Sequence, residues 1–116
     1  MTGIEVRETP WGKWEVLLEA NDCKVKRMTV KPGHRLSYQT HQYRQEVWTV
    51  IAGMPYVVLD DVKSTYKPHD VVRIPLGAKH RIGNEGTEDV VIIEVQMGSY
   101  FGEDDIVRLE DDYARA

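Results

Sequence analysis

Four side chains that could bind a metal ion follow two short patterns in the sequence. The first pattern spans residues 33–53 and carries Gln39, His41 and Glu46 in the order G-x5-Q-x-H-x4-E-x6-G. The second pattern, P-x-G-x2-H-x3-N, carries His80. One amide oxygen, two imidazoles and one carboxylate make a mixed nitrogen and oxygen ligand set. Such a set suits Zn, Fe, Mn, Co or Ni better than a thiolate site would.

The spacing of these residues predicts that their side chains converge. Gln39 and His41 are two positions apart, so in a strand both point to the same face. A short turn over residues 42–45 would let Glu46 begin the next strand. His80 follows Pro-Leu-Gly, a turn that can end one strand and direct the next into the same interior. The alternative is that these polar side chains line the mouth of a barrel without holding a metal.

Short runs rich in β-formers, separated by Gly, Pro, Asp and Asn, predict strands along most of the chain. No segment of the sequence keeps a helical period long enough to indicate a substantial helix, so a β-sandwich or β-barrel is expected. The tail from Asp104 to Tyr113 is predicted to form either a turn of helix or an irregular flap, lying over one barrel end or taking part in the site. The predicted strands are Trp14–Glu19, Cys23–Val30, Arg35–His41, Glu46–Ala52, Tyr56–Leu59, Ser64–Lys67, Val71–Ile74, His80–Gly83 and Val90–Gln96.

The paired patterns resemble those of the cupin superfamily, with Gln39 standing where many cupins carry the first histidine of an H-x-H pair. This resemblance implies an all-β fold, the cupin jelly roll or double-stranded β-helix barrel, formed by a single domain over residues 1–116. It also implies that Gln39, His41, Glu46 and His80 hold one divalent metal ion.

A more specific resemblance is to the type II phosphomannose isomerase cupin, which is commonly the C-terminal part of a fusion with mannose-1-phosphate guanylyltransferase. It implies a metal-dependent isomerase that interconverts mannose 6-phosphate and fructose 6-phosphate and feeds GDP-mannose and polysaccharide synthesis. Gln42, Tyr43 and Val47 depart from the family, since histidines are frequent at their positions. The segments that carry the resemblance are Trp11-Gly12-x-Trp14, Lys24 to Gly33, Leu36-Ser37-x-Gln39-x-His41, Arg44-x-Glu46-x-Trp48 and Gly98 to Arg108.

An isomerase of this kind needs a cationic grip on the phosphate and a base for the carbon-bound proton. Arg35 has the strand parity of Gln39 and His41, so we expect its side chain to enter the barrel mouth and act on the substrate. Arg44 in the turn beside the ligands and Arg108 in the tail are further candidates for phosphate binding.

Two more residues are candidates for the site because of the strands that carry them. Glu94 interrupts an apolar strand and is either the catalytic base or a structural carboxylate satisfied by hydrogen bonds. Trp48 shares the parity of Glu46 and is either a border of the substrate site or a core residue.

Composition and charge limit the kinds of partner that are expected for this protein. The formal net charge of -4 gives no basic stripe, so a nucleic acid is not expected as a partner. No apolar run approaches the roughly 20 residues that cross a bilayer, and the first residues lack the features of a signal peptide, so a cytoplasmic protein without membrane association is expected. The single cysteine excludes an internal disulfide.

Trp11 and Trp14 are expected to cover a barrel edge or to pack across the interface of a homodimer. Two other functions remain open at this point. One is a cupin that binds a sugar phosphate or nucleotide sugar without turnover, as a regulator or beside a separate guanylyltransferase chain. The other is an iron-dependent dioxygenase.

Overall fold

The computed structural model describes residues 5–113, and within this range the chain forms strands and no helix. No segment of this range is therefore a helix long and apolar enough to cross a membrane. The strands are β1 (Glu5–Thr9), β2 (Gly12–Glu19), β3 (Cys23–Val30), β4 (Tyr38–Thr40), β5 (Arg44–Ala52), β6 (Tyr56–Leu59), β7 (Val62–Thr65), β8 (Val71–Ile74), β9 (His80–Gly83), β10 (Val90–Gly98) and β11 (Val107–Glu110).

Two antiparallel sheets form the barrel. The first has the strand order β1-β2-β3-β10-β5-β8, and the second has the order β11-β4-β9-β6-β7. Non-sequential neighbours such as β10 between β3 and β5 are the crossovers of a jelly roll, so the predicted all-β cupin fold is confirmed.

The interior changes from apolar to polar along the barrel. On β10, Ile92 is an inward-facing core residue, whereas Glu94 and Gln96, two and four positions later on the same face, are buried polar residues. Their neighbours follow the same gradient, because Ile92 lies opposite Val50 and Gln96 lies opposite Glu46 in the ladder with β5. One end of the barrel is thus a hydrophobic core, and the other end is a polar cavity.

The structure differs from the predicted strands at several places. Strand β7 occupies Val62–Thr65 rather than Ser64–Lys67. The strand predicted from Arg35 to His41 contains only β4, because Gly33, at a φ of 79°, turns the chain and Arg35 forms just an isolated bridge to Gly83. The tail forms strand β11 rather than a turn of helix. Strand β1 was not predicted, since its residues are nearly all exposed at the sheet edge and show no apolar alternation.

The two N-terminal tryptophans are largely accounted for within the chain. Trp11 is buried in the hydrophobic core. Trp14 is partly buried against the same core and also lines the polar cavity. The alternative in which Trp11 packs across a dimer interface is therefore wrong.

Candidate metal centre

Three of the predicted ligands meet inside the polar end of the barrel. His41, Glu46 and His80 are all buried, and one ligand atom of each lies within 4.8 Å of the other two. The Nε2 atom of His41 is 3.3 Å from one carboxylate oxygen of Glu46, and the Nε2 atom of His80 is 3.7 Å from the other. The carboxylate therefore stands between two imidazole nitrogens, as a shared cation would require.

Backbone carbonyls fix both histidine rings in the same tautomer. Nδ1 of His41 donates to the carbonyl oxygen of Asp105 at 2.6 Å, and Nδ1 of His80 donates to that of Ala78 at 3.0 Å. Hydrogen bonds of this kind from Nδ1 orient metal-binding histidines. The lone pair of each Nε2 consequently faces Glu46, and that of His41 accepts a hydrogen bond from Nη2 of Arg44 at 3.3 Å.

Burial keeps both rings neutral. It lowers the pKa of His41 to about 4, with the nearby charge of Arg44 adding to the effect. Burial also lowers the pKa of His80. Because a histidine must be unprotonated to bind a metal, these two imidazoles are ready to do so at neutral pH.

Gln39 lines the same cavity from β4, directly opposite His80 in the ladder between β4 and β9. Its amide nitrogen donates to the hydroxyl of Ser37 at 3.0 Å, which leaves the amide oxygen as the atom that could bind a cation. Together the four residues supply two neutral nitrogens, one carboxylate and one amide oxygen. This donor set fits a divalent transition metal or zinc.

Glu94 is linked to this cluster through Trp48. The indole Nε1 donates to Glu46 at 3.1 Å and to Glu94 at 3.0 Å, and the amide of Gln96 donates to the other Glu94 oxygen at 2.6 Å. Trp48 is thus both a core residue and part of the cavity wall. Burial, helped by the charge of Glu46, raises the pKa of Glu94 to about 7 against the opposing charges of Lys26 and Arg44. A carboxyl group with such a pKa can both accept and release a proton near neutral pH.

Two of the predicted cations line the cavity. Arg44 opens strand β5 rather than lying in a turn, and its Nε donates to Glu46 at 2.9 Å. Arg108 enters from β11, where it lies opposite Gln39 in the ladder. A further cation, Lys26 on β3, also lines the cavity and was not among the predicted site residues. Residues of β3 alternate between the two faces of the sheet, and this alternation puts Lys26 on the inward face with Met28. The sequence pattern of β3 therefore carried a signal for Lys26.

The prediction that Arg35 enters the barrel mouth is wrong. Its guanidinium forms a two-pronged pair with Asp112 at 2.7 and 2.8 Å, with both side chains about 40% exposed, and it does not line the cavity. The prediction counted strand parity back from Gln39, but residues 35–37 are not in a strand, so the parity does not extend to Arg35.

Residues 4–111 match the family described as Mannose-6-phosphate isomerase C-terminal, which is almost the whole chain. The chain belongs to this family. It is 45% identical to the alginate biosynthesis protein AlgA of Pseudomonas aeruginosa and 43% identical to the mannose-1-phosphate guanylyltransferase ManC of Salmonella typhimurium. Each alignment covers 91% of this chain but 22% of the relative, so the chain spans about a fifth of the length of these proteins.

Comparison of structures confirms the fold. The capsular polysaccharide assembling protein CapF from Staphylococcus aureus superposes with a TM-score of 0.79 at 25% identity, over 91% of this chain and 32% of that one. The shared part is the cupin barrel.

The tail that carries the family resemblance takes part in the site. Both carboxylate oxygens of Asp105 accept backbone hydrogen bonds, from Gln42 and Tyr43, each at 3.0 Å. The carbonyl oxygen of the same residue accepts the hydrogen bond from His41 described above. Asp105 therefore closes the turn that follows His41 and holds the ring of that ligand.

Replacing Asp105 by alanine should weaken metal binding about 10- to 100-fold, because His41 loses the partner segment that orients it. A competition titration with a chromophoric chelator measures this change. Asp104→Ala is the matched control, since Asp104 is exposed and accepts a hydrogen bond from the exposed Tyr100. Equal metal affinity of Asp105→Ala and the parent would show that the tail does not support the site.

Proposed function

We propose that this chain is a metal-dependent aldose-ketose isomerase that interconverts mannose 6-phosphate and fructose 6-phosphate. The observation that carries the proposal is the single cavity in which the cluster of His41, Glu46 and His80 lies beside a buried carboxyl group, Glu94, whose pKa is about 7. Membership of the mannose-6-phosphate isomerase family supports the choice of sugar. The relatives named for alginate and xanthan biosynthesis support a role in supplying polysaccharide synthesis.

The proposed reaction moves one proton between neighbouring carbons of the sugar. A divalent ion held by Gln39, His41, Glu46 and His80 would polarise the carbonyl and hydroxyl oxygens and so acidify the carbon between them. Glu94 takes the proton from C2 of the aldose and returns it to C1, while the hydroxyl proton on O2 passes to O1, which yields the ketose.

The protein's own contacts suit Glu94 to this task. Trp48 and Gln96 donate to its two oxygens and hold the carboxylate in place. Its burial keeps the pKa close to neutral, so the proton is accepted and released with little bias. The cavity cations balance the charge of a phosphorylated substrate.

The test is turnover of mannose 6-phosphate by the metal-loaded chain in deuterated water. We expect fructose 6-phosphate to form, deuterium to enter at the transferred position, and a chelator to stop both. Unphosphorylated mannose is the control substrate.

The competing function is that of a binding cupin without turnover. It has support from the relatives named as guanylyltransferases, of which this chain spans about a fifth. Suppose that the chain binds mannose 6-phosphate tightly but incorporates no deuterium when loaded with Zn, Fe, Mn, Co or Ni. This result would favour the binding function and contradict the proposed isomerase.

A further inference from the structure

Two buried cations share one partly exposed carboxylate at the mouth of the cavity. The side chains of Lys26 and Arg44 are each only 4% exposed, whereas that of Glu103 is 40% exposed. The Nζ of Lys26 lies 2.7 Å from Oε2 of Glu103, and Nη1 of Arg44 lies 3.6 Å from the same oxygen. Arg44 also has a buried partner in Glu46 at 2.9 Å, so Glu103 is the close partner of Lys26 and only a second, longer contact of Arg44. Because buried charge is unfavourable unless it is paired, Lys26 depends on this partly exposed carboxylate.

Arg44 retains hydrogen-bonding capacity that the described residues do not use. Its Nε donates to Glu46, and its Nη2 lies 3.3 Å from Nε2 of His41. Its Nη1 is buried and has no hydrogen-bond partner within the described part of the chain. Leaving a buried charged donor unsatisfied is unfavourable, so this atom favours an additional acceptor in the cavity.

Besides its ion pair with Glu103, Lys26 makes a second contact that holds it in place. Its ammonium lies 4.2 Å from the centre of the Trp14 ring, a cation-π contact that holds the charge at the cavity wall. Lys26 is on strand β3, and Arg44 is on strand β5. Glu103 is on neither sheet, since it belongs to the irregular segment between β10 and β11. The cations are therefore built into the barrel, whereas the carboxylate comes from a loop.

We propose that Lys26 and Arg44 form the subsite for the phosphate group of the substrate, and that Glu103 is a counter-ion that the phosphate displaces. A phosphate monoester has three terminal oxygens, so it can accept from Nζ of Lys26 and Nη1 of Arg44 at the same time. This inference rests on the proposed function for the sugar attached to the phosphate. The anion subsite itself depends only on the two cations.

Glu103 and a bound phosphate exclude each other. Both are anions that would use the same donors, so binding requires the carboxylate to leave. The cavity has a volume of about 80 Å³, room for about three water molecules at about 30 Å³ each. A hexose phosphate is larger than that, and the departure of Glu103 would widen the mouth. Glu103 would thereby keep the cations paired when no substrate is present.

The test is calorimetric titration of the metal-loaded full chain with mannose 6-phosphate, inorganic phosphate and mannose. In Lys26→Met we expect mannose 6-phosphate and phosphate to bind about tenfold more weakly or worse, as for loss of a charge-assisted hydrogen bond. Mannose affinity and metal content should stay the same. Lys67→Met is the matched control, because Lys67 is an exposed lysine paired with Asp70.

The variant Glu103→Gln is a second, independent test, and it leaves the buried Lys26 in place. It keeps the shape of the side chain and removes the competing charge, so mannose 6-phosphate should bind severalfold more tightly. Equal affinities of the parent, Lys26→Met and Glu103→Gln for mannose 6-phosphate would overturn the subsite, whatever the turnover.

The same titrations separate this inference from the proposed function. Phosphate binding that depends on Lys26, in a protein that does not turn over mannose 6-phosphate, would support the subsite and contradict the isomerase. An unchanged kcat/KM for mannose 6-phosphate in Lys26→Met would support the isomerase and overturn the subsite, because loss of a phosphate contact lowers kcat/KM even where kcat stays the same. A parent chain that binds neither phosphate nor mannose 6-phosphate would overturn the subsite as well.

Discussion

Replacing both His41 and His80 by alanine should abolish metal binding while the barrel remains folded. The parent chain should hold about one divalent ion, since the donors within residues 5–113 form a single cluster. Each substitution removes one neutral nitrogen, and the remaining carboxylate and amide oxygens make a much weaker site for these metals. We expect the affinity to fall by well over a hundredfold, beyond the range found for orienting residues alone. Metal analysis after dialysis, with circular dichroism as the check on folding, measures both properties.

The chain offers a matched control for this experiment. His34→Ala removes a histidine that contacts Tyr113 and lies outside the cavity, so it should leave the metal content unchanged. His69 is less suitable, because its φ of 79° makes any substitution there a change in backbone strain as well. Full metal content in the double variant would show that the cluster is a hydrogen-bonded polar network and not a metal centre.

The ligand cluster was predictable because its geometry depends on short sequence distances. Gln39 and His41 are two positions apart at the end of β4, and the short turn after His41 leads directly into β5, which carries Glu46. His80 is the long-range member, and its place was implied by the family motif. The same reasoning failed for Arg35, which lies in an irregular segment where side-chain direction no longer alternates.

The anion subsite was not predictable in the same way. Lys26 and Glu103 are 77 positions apart, and only the order of strands in the sheets brings them within 2.7 Å. Glu94 was identified as an interruption of an apolar strand, but whether it was structural or catalytic depended on its neighbours. The register of β10 against β5, which places Glu94 opposite Trp48, provides the link to Glu46.

Changing Glu94 to glutamine should lower isomerase activity about 10²- to 10⁴-fold, the usual contribution of a general base. The amide has nearly the shape of the carboxyl group but cannot accept the carbon-bound proton. Metal content should be retained, because Glu94 is not among the clustered ligands. Glu85→Gln is the matched control, since Glu85 is an exposed glutamate paired with Lys63. Activity close to that of the parent would assign Glu94 a structural role.

The pH dependence of turnover in the parent and in Glu94→Gln tests the pKa of Glu94. A base must be deprotonated, so the turnover of the parent should rise with pH through about 7, and this rise should be lost in Glu94→Gln.

The stability of the parent fold should change with pH in the opposite sense. Because the folded pKa lies above the unfolded value near 4.5, Glu94 stabilises the fold fully below pH 4.5, and this contribution is lost as the pH rises through 7.

Glu94→Gln removes that titration, since its amide is neutral at every pH. From pH 4.5 to 8 the variant should therefore gain about 3 kcal/mol of unfolding free energy relative to the parent. Urea denaturation in the presence of a chelator measures this difference without interference from a bound cation. A constant difference in unfolding free energy between variant and parent across this range would mean that Glu94 is ionised throughout and is not the titrating base.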